Sequence, residues 1–184
     1  TKMKYTPMIK MAVAVFLTLL LMPFSFAGEP RSKPFLPEIP QSWSQIFPEP
    51  TEYMGRDLVP TCIGLPGTDA EFSFFAKGGT VNNLVVFFDG GGGCWESTNA
   101  IYYPTCSPEV DETVADLESA GGIFDTANSA NPFKNWSFVA IPYCTGDTHW
   151  GSNDHAYPDY LNWYGGIDIT LHHRGFDNFL VVLK

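Results

Sequence analysis

Twelve residues, Leu84 to Trp95, read LVVFFDGGGGCW and constrain the chain more than any other stretch. Five consecutive apolar residues, 84–88, end abruptly at Asp89 and four glycines. A short apolar run closed by turn residues reads as a strand buried on both faces. Gly90, Gly91, Gly92 and Gly93 then remove every Cβ from the loop that leaves it. Such a backbone adopts φ > 0 freely and can bring its N–H groups against a bound atom. Donors presented in this way suit an oxyanion hole, and they suit a phosphate cradle equally. A plain turn needs one or two glycines, and each further one raises the entropy lost on folding. Asp89 reads as a carboxylate accepting loop N–H bonds, with a catalytic role as the rival.

The amino end carries a different signal. Lys2, Lys4 and Lys10 precede an apolar run from Met11 to Met22, then Pro23 and Ser25-Phe26-Ala27 before Gly28. Basic start, apolar centre and small-residue exit make residues 1–27 a secretory signal peptide, cut after Ala27. The apolar run is too short to span a bilayer comfortably, so no membrane attachment is expected after cleavage. Residues 28–60 hold seven prolines, at 30, 34, 37, 40, 48, 50 and 60, and read as an extended lead-in outside the core. The expected location is secreted or periplasmic.

Charge and cysteines narrow the partners. The leader takes three of the 10 basic residues and none of the 20 acidic ones. The remainder is strongly anionic, which excludes nucleic acid and anionic membrane as partners. Cys62, Cys94, Cys106 and Cys144 form an even set in an exported chain, which favours two disulfides among three pairings. Cys94 with Cys106 would staple the glycine loop, leaving Cys62 with Cys144. A zinc site is the rival, but no CxxC spacing supports it.

Along the chain, 72–76 reads as a strand, joined by a hairpin-like turn at Gly78-Gly79 and Asn82-Asn83 to strand 84–88. Residues 110–120 carry a helical pattern through Val110, Val114 and Leu117, and 129–135 is a polar turn. Residues 138–143 form a second buried strand, followed by a polar, aromatic-rich loop, CTGDTHWGSNDHAYPDY. Ile167 to Leu171 reads as a strand or an extended loop. From Phe176 onward, Phe176, Phe179, Leu180 and Leu183 repeat at helical spacing. Two buried strands joined by a helical crossover indicate an α/β domain with a parallel sheet. Ligands bind such sheets at the carboxyl ends of the strands, where both loops of interest lie.

The blocks DGGGGCW at 89–95, Asn135-Trp136, IPYCTGDTHWG at 141–151 and HHRGFDNF at 172–179 together resemble the pectin acetylesterase / Notum-like family. That resemblance spans roughly residues 55 to 184. It implies an α/β-hydrolase-like fold with a mostly parallel sheet, of which 61–184 would be the amino-terminal part. It implies a secreted serine carboxylesterase acting on a small ester or acylated polysaccharide, with no cofactor and no metal. Carried over, Gly91 and Gly92 supply the oxyanion hole, with Asp89, Gly90 and Gly93 shaping the loop. Trp95, Asp147, His149 and Trp150 line the cleft, and the family's disulfide pattern gives Cys94–Cys106 and Cys62–Cys144. The family's nucleophile sits in a G-x-S-x-G turn, which a strained strand-to-helix elbow requires. None occurs in the 184 residues. The expectation is therefore an amino-terminal fragment without nucleophile, acid or base.

Two rival functions stay open on the residues alone. Trp150, Tyr157, Tyr160, Trp163 and Tyr164 could stack on sugar rings in a non-catalytic polysaccharide-binding protein. Asp147, His149, Asp154 and His155 fall within nine residues and could hold a divalent metal in a hydrolase, against a polar network or cleft wall. His172 and His173 are adjacent, so on a strand only one can face a site.

Overall fold

The computed structural model describes residues 39–184. The expected leader, 1–27, and the first part of the proline-rich lead-in lie outside the described residues. The element order is β1 (Ser44–Ile46), β2 (Thr51–Tyr53), β3 (Arg56–Leu58), β4 (Phe74–Lys77), β5 (Leu84–Phe88), a π-helical turn (Thr98–Tyr102), α1 (Val114–Ser119), a 3-10 turn (Gly122–Phe124), β6 (Ser137–Ile141), β7 (Asn153–Tyr157), β8 (Ile169–His173) and α2 (Gly175–Val182).

Four strands make the main sheet, in the order β1-β4-β6-β5. Strand β5 runs parallel to β6, with Val86 opposite Val139. The β1–β4 and β4–β6 pairs are antiparallel. The sheet is thus mixed, and the expected mostly parallel sheet is corrected: one of its three pairings is parallel. Nor is there a hairpin between β4 and β5, because β6 lies between them.

Side chains alternate across the sheet and build a core on each face. Val85, Phe87, Phe138, Ala140 and Phe75 point to one face, where Leu117 and Val114 of α1, Phe124 and Trp43 cover them. Val86, Val139 and Ile141 point to the other, against Phe179 and Val182 of α2 and the Cys62–Cys144 pair. Helical cover on both faces is the layering of an α/β domain. A third apolar cluster, Ile63, Ile101, Tyr102, Tyr143, Tyr157 and Leu171 among its members, also contains Cys94 and Cys106. It underlies the β7–β8 hairpin.

Several elements differ from expectation for identifiable reasons. The second half of the proline-rich lead-in joins the fold. Trp43 is 5% exposed, with its ring 5.7 Å from Phe124 and 5.9 Å from Phe138. Strand β1 beside it forms an edge of the sheet, where nearby prolines are tolerated. Strand β5 is not buried on both faces: Leu84 is 45% and Phe88 41% exposed, because among the described residues β5 has β6 as its sole neighbour. Helix α1 starts four residues later than the apolar pattern. Thr113 caps it, accepting from Asp116 N–H while Asp116 accepts from Thr113 N–H, a reciprocal capping box. The aromatic-rich loop contains strand β7, paired with β8 from Asn153–His173 to Tyr157–Ile169.

Candidate functional site

The glycine loop leaves the carboxyl end of β5, and nearly every group around it is tied down. Asp89 N–H extends the parallel ladder to Ile141 O at 3.0 Å. Asp89 Oδ1 accepts from Gly90 N–H at 2.8 Å. Gly91 O accepts from Ser107 N–H at 2.8 Å, and Gly93 N–H donates to Thr105 O at 3.3 Å. Thr105 Oγ1 donates back to Gly93 O at 2.7 Å. Cys94 N–H donates to Gly146 O at 3.0 Å. The Trp95 and Glu96 N–H groups both donate to Asn99 Oδ1, at 3.0 and 3.1 Å. The Cys94–Cys106 disulfide closes the same turn covalently, and Cys62–Cys144 fixes the loop that follows β6. Against this background two donors stand out. Among the described residues, no carbonyl or side chain accepts from Gly91 N–H or Gly92 N–H.

Both positions require glycine. A Cβ on Gly91 would run into the Tyr143 ring. Gly92 has φ +82°, and a Cβ there would meet the Thr105 carbonyl. Close backbone approach therefore requires glycine at 91 and 92, whereas a Cβ at Gly90 would meet open space and one at Gly93 only ordinary contact with the Trp95 ring.

The segment after β6 buttresses this loop from one side. His149 Nε2 lies 2.9 Å from Asp89 O, and since a carbonyl only accepts, that nitrogen donates. Its ring contacts Phe88 and Tyr143 edge-on, at 5.1 and 5.0 Å between centroids. Tyr143 Oη accepts from Thr148 N–H at 2.9 Å, and burial pushes its phenol up. Thr148 and His149 both have positive φ, at 57° and 61°, a backbone strain held by Asp147. Asp147 Oδ1 accepts from Thr145 Oγ1 at 2.7 Å and from His149 N–H at 3.0 Å. Its Oδ2 accepts from Gly151 N–H at 3.0 Å and Gly175 N–H at 2.7 Å. Asp147 is thus a fully occupied hub tying this loop to the first residue of α2. Trp95 and Trp150 are 71% and 78% exposed, the latter stacked on Phe176.

Sequence reasoning missed Glu112. Its Oε2 is buried and has no hydrogen-bond partner. Burial first, and then the Asp89 carboxyl beside it, push its acid up to about 7. No pattern in the sequence marks it, because it sits just outside a helix and reaches the loop only through the fold.

The residues grouped for a metal go to separate partners. Asp147 and His149 are engaged as above. Arg174 grips Asp154 through Nε and a terminal nitrogen, both at 2.7 Å, and with His172 holds its carboxyl well below the usual carboxylate range. His155 packs edge-on against Tyr157. No group of three or more His, Cys, Asp or Glu among the described residues converges as metal ligands. His173 donates from Nδ1 to Thr145 O and meets Tyr157 Oη at Nε2, each at 2.8 Å, while His172 turns to Asp154.

The five aromatics weighed for sugar stacking also divide. Tyr157 is buried, and Tyr164 donates to Ile101 O at 2.8 Å. Trp163 and Tyr160 are exposed on a lobe organised by Asp159, which accepts from Tyr102 Oη and from the N–H groups of Trp163, Tyr164 and Gly166. Among the described residues no helix is long and apolar enough to cross a membrane.

Fold and site together define a disulfide-stapled α/β domain with two main-chain donors left uncommitted at a strand's carboxyl end. Comparison with known families gives the group more narrowly. A model of the pectinacetylesterase family matches residues 59–184, and the chain belongs to that family. It is also similar to pectin acetylesterase 11 of Arabidopsis thaliana, at 24% identity over 141 residues, which is 70% of this chain and 36% of that protein. The chain thus spans about a third of that relative's length. No solved structure matches it.

Proposed function

We propose that the protein is an exported carboxylesterase that transfers an acyl group to a serine, with Gly91 and Gly92 N–H receiving the developing oxyanion. One observation carries this: within the run of four glycines those two amides are uncommitted, while Gly90 N–H is bonded to Asp89 and Gly93 N–H to Thr105. When a hydroxyl attacks an ester carbonyl, the oxygen gains negative charge as its double bond opens. Donors already in place lower that barrier without reorganising, and loss of one costs about 10²–10³ in kcat.

The location supports the same reading. The parallel pair β5–β6 ends beside the loop, and β5 has a free edge among the described residues. A strand added there would reverse the strand order at β5, and ligands bind at such switch points. We place the nucleophile, acid and base of an α/β-hydrolase-like enzyme in polypeptide beyond these 184 residues, since no G-x-S-x-G lies within them. The relative's name speaks of pectin and acetyl groups, which supports an acylated polysaccharide or small ester as substrate here. Two disulfides and the basic-apolar leader support export to an oxidising compartment.

The test uses p-nitrophenyl acetate. The 184-residue chain should give no turnover above background, whereas a longer protein carrying the serine elbow should. In that longer protein Gly92→Ala should lower kcat about 10²–10³-fold, because the added Cβ displaces the amide. Serine-dependent turnover by the short chain, or undiminished kcat in Gly92→Ala, would overturn the proposal.

A further inference from the structure

The end of the main sheet opposite the glycine loop holds a cavity of about 290 Å³, near the lower limit for small-molecule sites. Lys77 in its lining stands opposite Phe138, near the start of β6, whereas the glycine loop follows the end of β5. Cavity and loop therefore lie at the amino and carboxyl ends of the same parallel pair.

The lining is held in place by its own hydrogen bonds. Gly78 N–H donates to Pro40 O at 2.6 Å, which sets Gln41 and Ser42 against the cavity. Asn131, itself buried, donates to Ile123 O at 2.8 Å and to Asp125 O at 2.9 Å, and so pins the facing turn. Asp125 Oδ1 accepts from Ala127 and Asn128 N–H within that turn. Lys77 Nζ donates to Thr126 Oγ1 at 2.9 Å and ties β4 to it. Trp43 and Phe124, with ring centroids 5.7 Å apart, supply the apolar part of the wall.

The polar groups select a ligand by charge and by shape. Lys77 meets two carboxylates here, Glu118 and Asp125, and none of the three forms an ion pair among the described residues. Two carboxylates against one ammonium disfavour an anion such as a uronate, and the ammonium disfavours a cation. A neutral molecule with adjacent hydroxyls uses both kinds of group. Lys77 donates to one oxygen while a carboxylate accepts from the neighbouring O–H. A pyranose ring also turns an apolar face to an aromatic wall.

We propose that this cavity is a carbohydrate site that holds one neutral sugar unit of a polysaccharide, away from the glycine loop. It goes beyond the esterase reading and uses none of that reading's residues. Its use to an enzyme acting on a polysaccharide is anchoring: the chain stays on the protein while its ester groups are presented elsewhere.

The test needs no catalysis. The oxidised 184-residue chain, labelled with ¹⁵N, is titrated with xylohexaose, mannohexaose, galactohexaose and hexagalacturonate, and the amide shifts are followed. At least one neutral oligosaccharide should move the Trp43, Lys77 and Thr126 amides saturably and leave those of Gly90 to Gly93 still. Hexagalacturonate should move neither set. Glu118→Ala and Lys77→Met should each weaken the Kd of that neutral oligosaccharide about tenfold, the worth of one hydrogen bond to a charged group. The Glu118 side chain is exposed, so its removal leaves the fold intact. No shift at the cavity with any neutral oligosaccharide, tighter binding of hexagalacturonate there, or an unchanged Kd in both variants would overturn the proposal. Should the cavity bind as expected while Gly92→Ala leaves kcat intact in the longer protein, the oxyanion reading fails and the sugar site stands.

Discussion

The two disulfides should differ in what they stabilise, and the difference can be worked out. Cys62–Cys144 joins residues 82 apart, and Cys94–Cys106 residues 12 apart. Closing the longer loop in the unfolded chain is worth about 4.5 kcal/mol, the shorter about 2.8 kcal/mol. All four cysteines are buried, between 0% and 7% exposed. Replacing either pair by alanine therefore loses comparable packing, and the gap of about 1.7 kcal/mol isolates the closure effect. At about 2–4 °C per kcal/mol for a domain of this size, the long-loop double variant should melt about 3–7 °C below the short-loop one. Circular dichroism melts of purified oxidised protein, with thiol titration to verify the remaining bond, measure this directly. The effect on function should run the other way: Cys94→Ala/Cys106→Ala releases the glycine loop and should impair a serine-bearing protein more than its modest stability loss implies. Equal melting points, or a lower one for the short-loop variant, would refute the closure reasoning.

Two further outcomes follow from the polar network. Asp147→Ala removes one acceptor from four donors and should cost about 3 kcal/mol by urea denaturation, with Asp147→Asn recovering part of it. Asp154 titrates below its ordinary range because Arg174 and His172 stabilise its charge, so its contribution is present above the usual carboxylate pKa and fades as pH falls toward the lowered one. Melting points of wild type and Asp154→Asn should accordingly be furthest apart near pH 6 and draw together toward pH 3.

Much of the framework was legible because it depends on local chemistry. The run 84–88 is a strand from end to end, since five apolar residues and a glycine stop leave little else. Helix α2 was legible from Phe176, Phe179 and Leu180, and Gly175 simply opens it one residue earlier. What escaped depends on who stands next to whom. Strand β7 reads Asn-Asp-His-Ala-Tyr, with no apolar alternation; it is a strand because β8 pairs with it across an 11-residue lobe too long to signal a hairpin. Trp43 looked like part of a proline-rich tether, and only the aromatic rings around it make it core. The glycines mark the candidate site in the sequence, yet which of their amides are spare depends on Asp89 and Thr105, which take up Gly90 and Gly93 N–H and carry no motif for it. Glu112 was invisible for the same reason.

The pairing of the cysteines also bears on how the chain must mature. One bond is nested inside the other: Cys94 and Cys106 lie wholly within the span of Cys62 and Cys144. A polypeptide threaded amino end first into an oxidising space presents Cys62 and Cys94 before either rightful mate. Consecutive oxidation would join those two and trap the turn, so export as proposed above would call for a shuffling catalyst or a delay until Cys144 has emerged.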